Sequence, residues 1–338
     1  MKILGKKNNY ALIVLALVLV LGSNVESFAK NRELAKSIDS LLVEKHKNGK
    51  FNGNVLVYKK GKKVYEKSFG YADGSKKLML NKQHKFNIGS IYKEFPAVSI
   101  MQLKEKKLIK LDDKVSKYLP KLPKWSEKVT IKHLLQYSSG LPRINFGAYF
   151  GKGLYVTDAA IMKDVQTVEK LKFEPGKDYL YSNLNPILLI KIVESVTKQK
   201  FADYAGKNLF SSYGMKNTLV KPQFPYADRS FMAIPFNAEF KEDNYKIRDS
   251  SFLFTSTAFD LYKWFDELDS FKVINKESVK FLSETVKAGN NIQSPLGSTT
   301  WKNKKLIEHR HHGSSANYEC LVGRFRKDKL TIVMLTNQ

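Results

Sequence analysis

Ser90-Ile91-Tyr92-Lys93 opens a stretch with helical character that runs to Lys104-Glu105, and Phe86-Asn87-Ile88-Gly89 leads into it. Residues three apart near a helix start share one face, so the Ser90 hydroxyl and the Lys93 amine can meet. A serine hydroxyl is a weak nucleophile until a neighbouring base takes its proton. A desolvated lysine can be that base, and a helix N-terminus favours the negative charge that develops beside it. Gly89 permits the sharp backbone turn that the geometry needs. Ser-x-x-Lys occurs three times, at Ser27, Ser90 and Ser195, so the motif needs partners to carry meaning. Ser195 ends an amphipathic helix and reads as surface, and Ser27 lies in a segment expected to be removed.

Partners occur further along. Tyr181 and Asn183 sit two apart in Tyr-Ser-Asn after the turn Phe173-Glu174-Pro175-Gly176, and Tyr-x-Asn appears once in the chain. Extended chain would project both side chains to one side. A phenol with a lowered pKa can exchange protons with a leaving group, and an amide can hold a substrate carbonyl. Then comes His311-His312-Gly313-Ser314-Ser315, placed just before the penultimate strand. Gly313 would let a ligand approach the backbone, and the Ser314 N–H paired with that of Ser90 could form an oxyanion hole. His311 could donate to substrate or tune Tyr181 and Lys93 electrostatically.

The elements that must position these groups are legible in outline. Leu34, Ile38, Leu41 and Leu42 repeat at helical spacing within Asn31 to Lys47. Gly53 to Tyr58 and Lys63 to Phe69 read as two strands around the turn Lys60-Gly61-Lys62. Asn317 to Phe325 and Leu330 to Thr336 read as two more, around Arg326 to Lys329. From the Ser90 helix to about Leu282 the signals are mostly helical, and Ser138-Ser139-Gly140-Leu141-Pro142 is a strong helix stop. The expected fold is therefore mixed α/β (α+β), with one antiparallel sheet built from both chain ends and flanked by helices. Two aromatic-rich stretches, Arg143 to Tyr155 and Pro222 to Phe236, suit either cleft walls or packing onto the helical part.

Ser-x-x-Lys, Tyr-Ser-Asn and His-x-Gly in this order resemble the penicillin-recognising serine hydrolases, most closely the class C β-lactamase and D-alanyl-D-alanine carboxypeptidase branch. Ile131-Lys132-His133-Leu134-Leu135, Ser139-Gly140-Leu141-Pro142, Tyr213 to Thr218 and Leu335-Thr336-Asn337 add to the likeness, which runs from about residue 31 to the end. The resemblance implies a sheet lobe (residues 30–85 and 300–338) and a helical lobe (86–299). It also implies Ser90 as acylated nucleophile, Lys93 as base and Tyr181 as proton shuttle, with no cofactor. His311 stands where class C β-lactamases carry lysine and carboxypeptidases of this type carry histidine, and His312 replaces a threonine that helps bind a substrate carboxylate. The implied activity is acyl transfer on a D-Ala-D-Ala-type peptide or an ester in preference to a β-lactam. A true β-lactamase and a non-catalytic envelope-binding relative are the alternatives. The family usually carries a C-terminal helix after the strand that ends here at Thr336, and the sequence runs two residues past that point.

Composition bounds the setting. Lys2, Lys6 and Lys7, then the apolar run Tyr10 to Leu21 and Ser27-Phe28-Ala29, have the pattern of a signal peptide over residues 1–29, with a retained anchor as the alternative. The expected location is therefore exported, periplasmic or secreted. Beyond residue 29 there are 55 basic against 31 acidic residues, a charge suited to anionic envelope polymers or a membrane surface, although a generally lysine-rich make-up explains it equally well. Only seven basic residues are arginine and no basic-aromatic nucleic-acid motif is present. Cys320 is the single cysteine, so an intramolecular disulfide is excluded. His309, His311 and His312 have no acidic or cysteine partner nearby in sequence at ligand spacing, so a metal site is not expected. The partner implied is a small-molecule or peptide substrate, a peptidoglycan-derived one among the candidates, bound by a monomer.

Overall fold

A computed structural model describes residues 29–286 and 292–338. The expected signal peptide therefore lies outside the described residues. No helix among the described residues is long and apolar enough to cross a membrane.

Nine strands are described: β1 (Gly53–Lys59), β2 (Lys62–Phe69), β3 (Phe86–Asn87), β4 (Leu219–Val220), β5 (Phe254–Ser256), β6 (Ser298–Lys302), β7 (Lys305–Ser315), β8 (Tyr318–Phe325) and β9 (Leu330–Thr336). Six of them form an antiparallel sheet in the order β2-β1-β9-β8-β7-β6, closed from both ends of the chain as expected. The short β3, β5 and β4 make a second sheet. Helices are α1 (29–47), α2 (Glu94–Glu105), α3 (Ile131–Leu135), α4 (Phe146–Gly151), α5 (Asp158–Gln166), α6 (Leu184–Thr197), α7 (Phe201–Ala205), α8 (Ala258–Asp269) and α9 (Lys276–Leu282).

Alternation along the strands sorts the core onto the two faces of the sheet. Val55 and Val57 of β1 join Tyr65 and Phe69 in a cluster with Leu42 of α1. Leu56 points the other way and joins Val333, Leu335 and the α8 residues Leu261, Trp264 and Phe265. That second cluster continues without a break into α2, α3 and α6, so sheet and helices share one core. Helix α8 falls within the span expected for the helical lobe, yet it packs on β1, β8 and β9.

The sequence suggests two closing strands; the structure has four. His311, His312, Gly313 and Ser314 do stand just ahead of the penultimate strand, β8, but they are themselves the end of a strand, β7, that the sequence does not announce. β6 ends opposite Arg310, so among the described residues one edge of β7 lacks a strand partner beyond that point and faces the 3₁₀ turn Gly89–Lys93. The approach is tight. A β-carbon on Gly313 would overlap the Ile88 carbonyl oxygen and stand 2.7 Å from the Ser90 nitrogen, and one on Gly89 (φ +50°) would stand 2.5 Å from the Ser314 nitrogen. Gly313 thus admits another segment of the protein's own backbone, where the sequence suggests a ligand. Because both clashes are with backbone, no change of rotamer can relieve them. Gly313→Ala should cost about 3 kcal/mol or prevent folding. Urea unfolding checks this, with Ser314→Ala, at an exposed neighbouring position, expected to change stability little.

Candidate active site

Ser90 lies in the 3₁₀ turn that precedes α2, not in the α-helix itself. With three residues per turn, positions i and i+3 eclipse, which places Lys93 directly over Ser90. Lys93 Nζ is 2.7 Å from Ser90 Oγ, and the Tyr181 hydroxyl donates to that oxygen at 2.8 Å. The lysine is 3% exposed, and no ion pair is described for its amine. Burial pulls its pKa down to about 7, so a large fraction is a free base at neutral pH. Burial acts oppositely on Tyr181, raising its pKa to about 12 although the Ser90 hydrogen bond works against the rise. The phenol is therefore a held proton, not the lowered-pKa group that the motif suggests. Of the two groups, the Lys93 amine is the one able to accept a proton near neutral pH.

Tyr181 is held from behind by the helix stop read in the sequence. Leu180 N–H donates to Tyr137 O, Gly176 N–H to Ser138 O, the Ser182 hydroxyl to Pro142 O and the Ser139 hydroxyl to Asn185 Oδ1. Arg143 Nε–H donates to Tyr181 O at 3.1 Å, and the Tyr137 and Tyr181 rings lie 5.0 Å apart. Gly140 (φ +77°) allows the two segments to close, since a β-carbon there would overlap Phe173 O. Asn183 is not in extended chain; it takes helical angles at the start of α6. Tyr181 and Asn183 consequently line different parts of one cleft.

Two chambers meet at Ser90 and Ser314. One, of about 320 Å³, is mostly apolar, with Phe146, Phe150, Tyr245, Ile247 and Phe252 in its wall and Asn183 beside it. Phe146 and Phe150 sit four apart on α4, which Asn145 caps by accepting from the Ala148 N–H. The first aromatic-rich stretch thus does supply cleft wall. From the second, Phe224, Tyr226 and Phe236 are buried in packing instead. The other chamber, of about 290 Å³, is polar and lined by Tyr179, Tyr181, Gln293 and His312.

The two histidines part company. His312 is exposed, lines the polar chamber and pairs through Nε2 with the Glu319 carboxylate. His311, only 3% exposed, points inward and donates from Nδ1 to Glu94 Oε1 at 2.6 Å. Burial lowers the pKa of His311, so it is a neutral imidazole behind Lys93 and its Nδ1–H is not free for substrate. Glu94, for which the sequence carries no signal, is fully buried and also accepts from Trp264 Nε1 at 2.6 Å. His309 completes the cluster: Nδ1 is 2.9 Å from Asp269 Oδ1, Nε2 is 2.9 Å from Leu296 O and 3.3 Å from Glu94 Oε1, and the ring stacks on Phe265. Burial alone would deprotonate His309, but Asp269 and Glu94 raise its pKa to about 10. Burial alone would protonate Glu94, but His309 and His311 bring it down to about 2. Cys320 is buried on β8 with its thiol toward Asn87 O, and burial raises its pKa, so it is structural. The Ser195 hydroxyl donates to Tyr118 O.

A serine that meets a desolvated lysine and a tyrosine at one cleft between an antiparallel sheet and a helical part is the arrangement of the penicillin-recognising class of serine hydrolase. The chain belongs to that class: the Beta-lactamase family model matches residues 38–338. It is similar to penicillin-binding protein 4* of Bacillus subtilis (34% identity over 194 residues, 56% of this chain and 42% of that one). It is also similar to protein flp of Staphylococcus aureus (29% over 322 residues, 89% and 63%), so the chain spans less than two thirds of either relative. In fold it superposes on a penicillin-binding protein from Bacillus halodurans (TM-score 0.74, 22% identity, covering 88% of this chain and 94% of that one). A class C beta-lactamase gives TM-score 0.74 at 18% identity (91% and 92%), and D-amino acid amidase from Ochrobactrum anthropi gives 0.70 at 20% (90% and 91%).

The buried cluster has a definite pH signature. His309 has a folded pKa above the ordinary value of 6.5, so its contribution to stability is complete below about 6.5 and is lost as pH rises through about 10. Glu94 has a folded pKa below its ordinary value of 4.5, so its contribution is present above about 4.5 and is lost as pH falls toward 2. Stability from the pair should therefore be greatest between about pH 4.5 and 6.5. His309→Asn should lower stability in that window and flatten the decline above pH 7, as thermal melts across pH will show.

Proposed function

We propose that this chain is an exported serine hydrolase that transfers the acyl group of an amide or ester to Ser90 and then to water. The observation that carries this reading is the convergence of Lys93 Nζ and the Tyr181 hydroxyl on Ser90 Oγ at 2.7 and 2.8 Å, with the amine buried and its pKa near 7. In the first step Ser90 Oγ bonds to the substrate carbonyl carbon as its proton passes to Lys93. The carbonyl oxygen becomes an oxyanion beside the Ser90 and Ser314 N–H groups. When the carbon–nitrogen or carbon–oxygen bond breaks, Tyr181 passes a proton to the leaving atom and is replenished from Lys93. Because Tyr181 borders the polar chamber, the leaving group belongs there, and the acyl part occupies the apolar chamber beside Phe146 and Phe150. Water then cleaves the Ser90 ester with the proton steps reversed.

A D-Ala-D-Ala-type peptide or an ester is favoured over a β-lactam. A β-lactam's carboxylate needs fixed donors, but the Nδ1–H of His311 is committed to Glu94 and His312 is paired with Glu319, whose charge repels a carboxylate. Each charge-assisted hydrogen bond forgone costs roughly 1.5–3 kcal/mol, one to two decades in acylation efficiency. Export rests on the charged and apolar pattern of residues 1–29.

Incubation with a fluorophosphonate followed by intact mass and peptide mapping should place one label, on Ser90. A label on Ser195 or elsewhere would overturn the assignment. Lys93→Ala and Tyr181→Phe should each lower turnover on the order of 10²-fold with folding kept, and wild-type kcat/KM should rise with pH through about 7 as Lys93 loses its proton. Mutants within threefold of the parent would show that the proton path is wrong. Kinetics on nitrocefin and on a short-chain p-nitrophenyl ester separate the substrate classes. The ester should be turned over and nitrocefin hardly at all, whereas a nitrocefin kcat/KM near 10⁷ M⁻¹s⁻¹, about the diffusional range, would make this a β-lactamase.

A further inference from the structure

Lysines look evenly scattered in the sequence, but the sheet topology gathers one group of them. The β1–β2, β6–β7 and β8–β9 turns all lie at the same end of the sheet, because Lys59 is opposite Leu330, Phe325 is opposite both Leu330 and Glu308, and Lys60 N–H donates to Lys329 O. Residues 59–63, 302–305 and 326–329 hold ten basic residues among thirteen and one acid, Asp328, against 58 basic and 32 acidic residues in the whole chain. Lys60, Lys62, Lys304, Lys305, Lys327 and Lys329 are all exposed, and no ion pair is described for any of them. Aromatic groups border this end: Tyr58 stacks on Tyr262 at 3.8 Å, and Phe259 beside them is 40% exposed.

Helix α1 fixes what this end faces. Its Asp39 accepts hydrogen bonds from Tyr65 and Lys67, and further along its His46 ring lies 5.6 Å from that of Phe69. The helix therefore runs away from Lys62, and residue 29 enters the domain at the lysine end. The sequence just before it carries the apolar run Tyr10 to Leu21 behind Lys2, Lys6 and Lys7.

We infer that the three-turn lysine end is a docking surface for an anionic lipid bilayer. Ammonium groups gathered at one end of the sheet, with aromatic groups beside them, match a phosphate headgroup surface, and the chain's entry point puts that end on the membrane side during or after export. Ser314 stands nine residues along β7 from Lys305, roughly 30 Å at about 3.3 Å per residue, so Ser90 and its cleft stand well clear of the lipid. This holds whatever Ser90 acylates.

The test is co-sedimentation of the full chain with phosphatidylcholine vesicles, with and without phosphatidylglycerol, over a range of salt. A variant with glutamine at Lys60, Lys62, Lys304, Lys305, Lys327 and Lys329 is compared with a control of equal net charge, glutamine at Lys106, Lys107, Lys110, Lys121, Lys124 and Lys132. Circular dichroism confirms that both fold. The preference for phosphatidylglycerol vesicles over neutral ones should fall on the order of 10²-fold in the turn variant and little in the control, and salt should erase it in the parent. Equal losses in the two variants, or no preference in the parent, would overturn the docking surface. Soluble polyphosphate that displaces the parent from vesicles and binds it more tightly would assign the face to a polymer and overturn the membrane reading.

Discussion

An ammonium group with no counter-charge is expensive to bury, and the site is organised around keeping Lys93 in that condition. The difficulty is sharpened by the next residue. Glu94 is fully buried one position away, and a carboxylate free to turn toward Lys93 would raise the lysine's pKa and restore its proton. What prevents this is the prior claim of Trp264, His309 and His311 on both carboxylate oxygens. Asp269 keeps His309 protonated, so Glu94 has a permanent cation on the side away from the cleft. Arg324 Nε stands 3.5 Å from Asp269 Oδ2, so two cations, Arg324 and His309, face the two buried carboxylates behind the site, and Lys93 is left at its front with hydroxyl and aromatic neighbours.

The same requirement explains the shape of β7. Its inward positions are His309, His311 and Gly313, where an ordinary core strand would carry branched apolar residues. The two imidazoles serve Glu94, while the missing side chain of Gly313 brings Ser90 and Ser314 backbone within contact. Only where β6 has ended is an edge of β7 available for this, so the length of β6 is part of the active-site geometry.

These features decide what a reader of the sequence can see. β1, β2, β8 and β9 are short runs rich in apolar residues bounded by lysine-rich turns, and they are legible nearly to the residue. β7 escapes because its buried row is written in histidine and glycine, so the alternation looks like a polar loop. Glu94 escapes for a related reason: a glutamate in the first turn of a helix ordinarily favours the dipole and faces water, and only the packing of β7 on the Gly89–Lys93 turn seals it in. Ser90, Lys93 and Tyr181 are legible because their motifs are local and the chemistry dictates the residue types. The apolar chamber is legible in part. The aromatic content of Arg143 to Tyr155 suggests cleft wall or packing alike, and the helix that sets Phe146 and Phe150 on one face is a single short turn-rich segment without a sustained period. Tyr245, Ile247 and Phe252 come from loops whose path follows no sequence period.

The sheet also separates demands that would otherwise conflict. The pKa of a desolvated amine shifts if mobile charges come near it, and this chain carries 58 basic residues against 32 acidic. Additional cations close to Lys93 would depress its pKa further, and anions recruited by them would raise it. Placing the densest lysines on the turns at the far end of β7 puts them roughly 30 Å from Ser90, about three Debye lengths at 0.1 M salt. At that separation the surface charge and the buried amine are electrostatically independent, and the lysine end can change its surroundings without retuning the base. At the cleft the Glu319 carboxylate is instead held by the His312 ring on the neighbouring strand. Strand length, set by an eleven-residue β7, is what allows one small sheet to hold both environments.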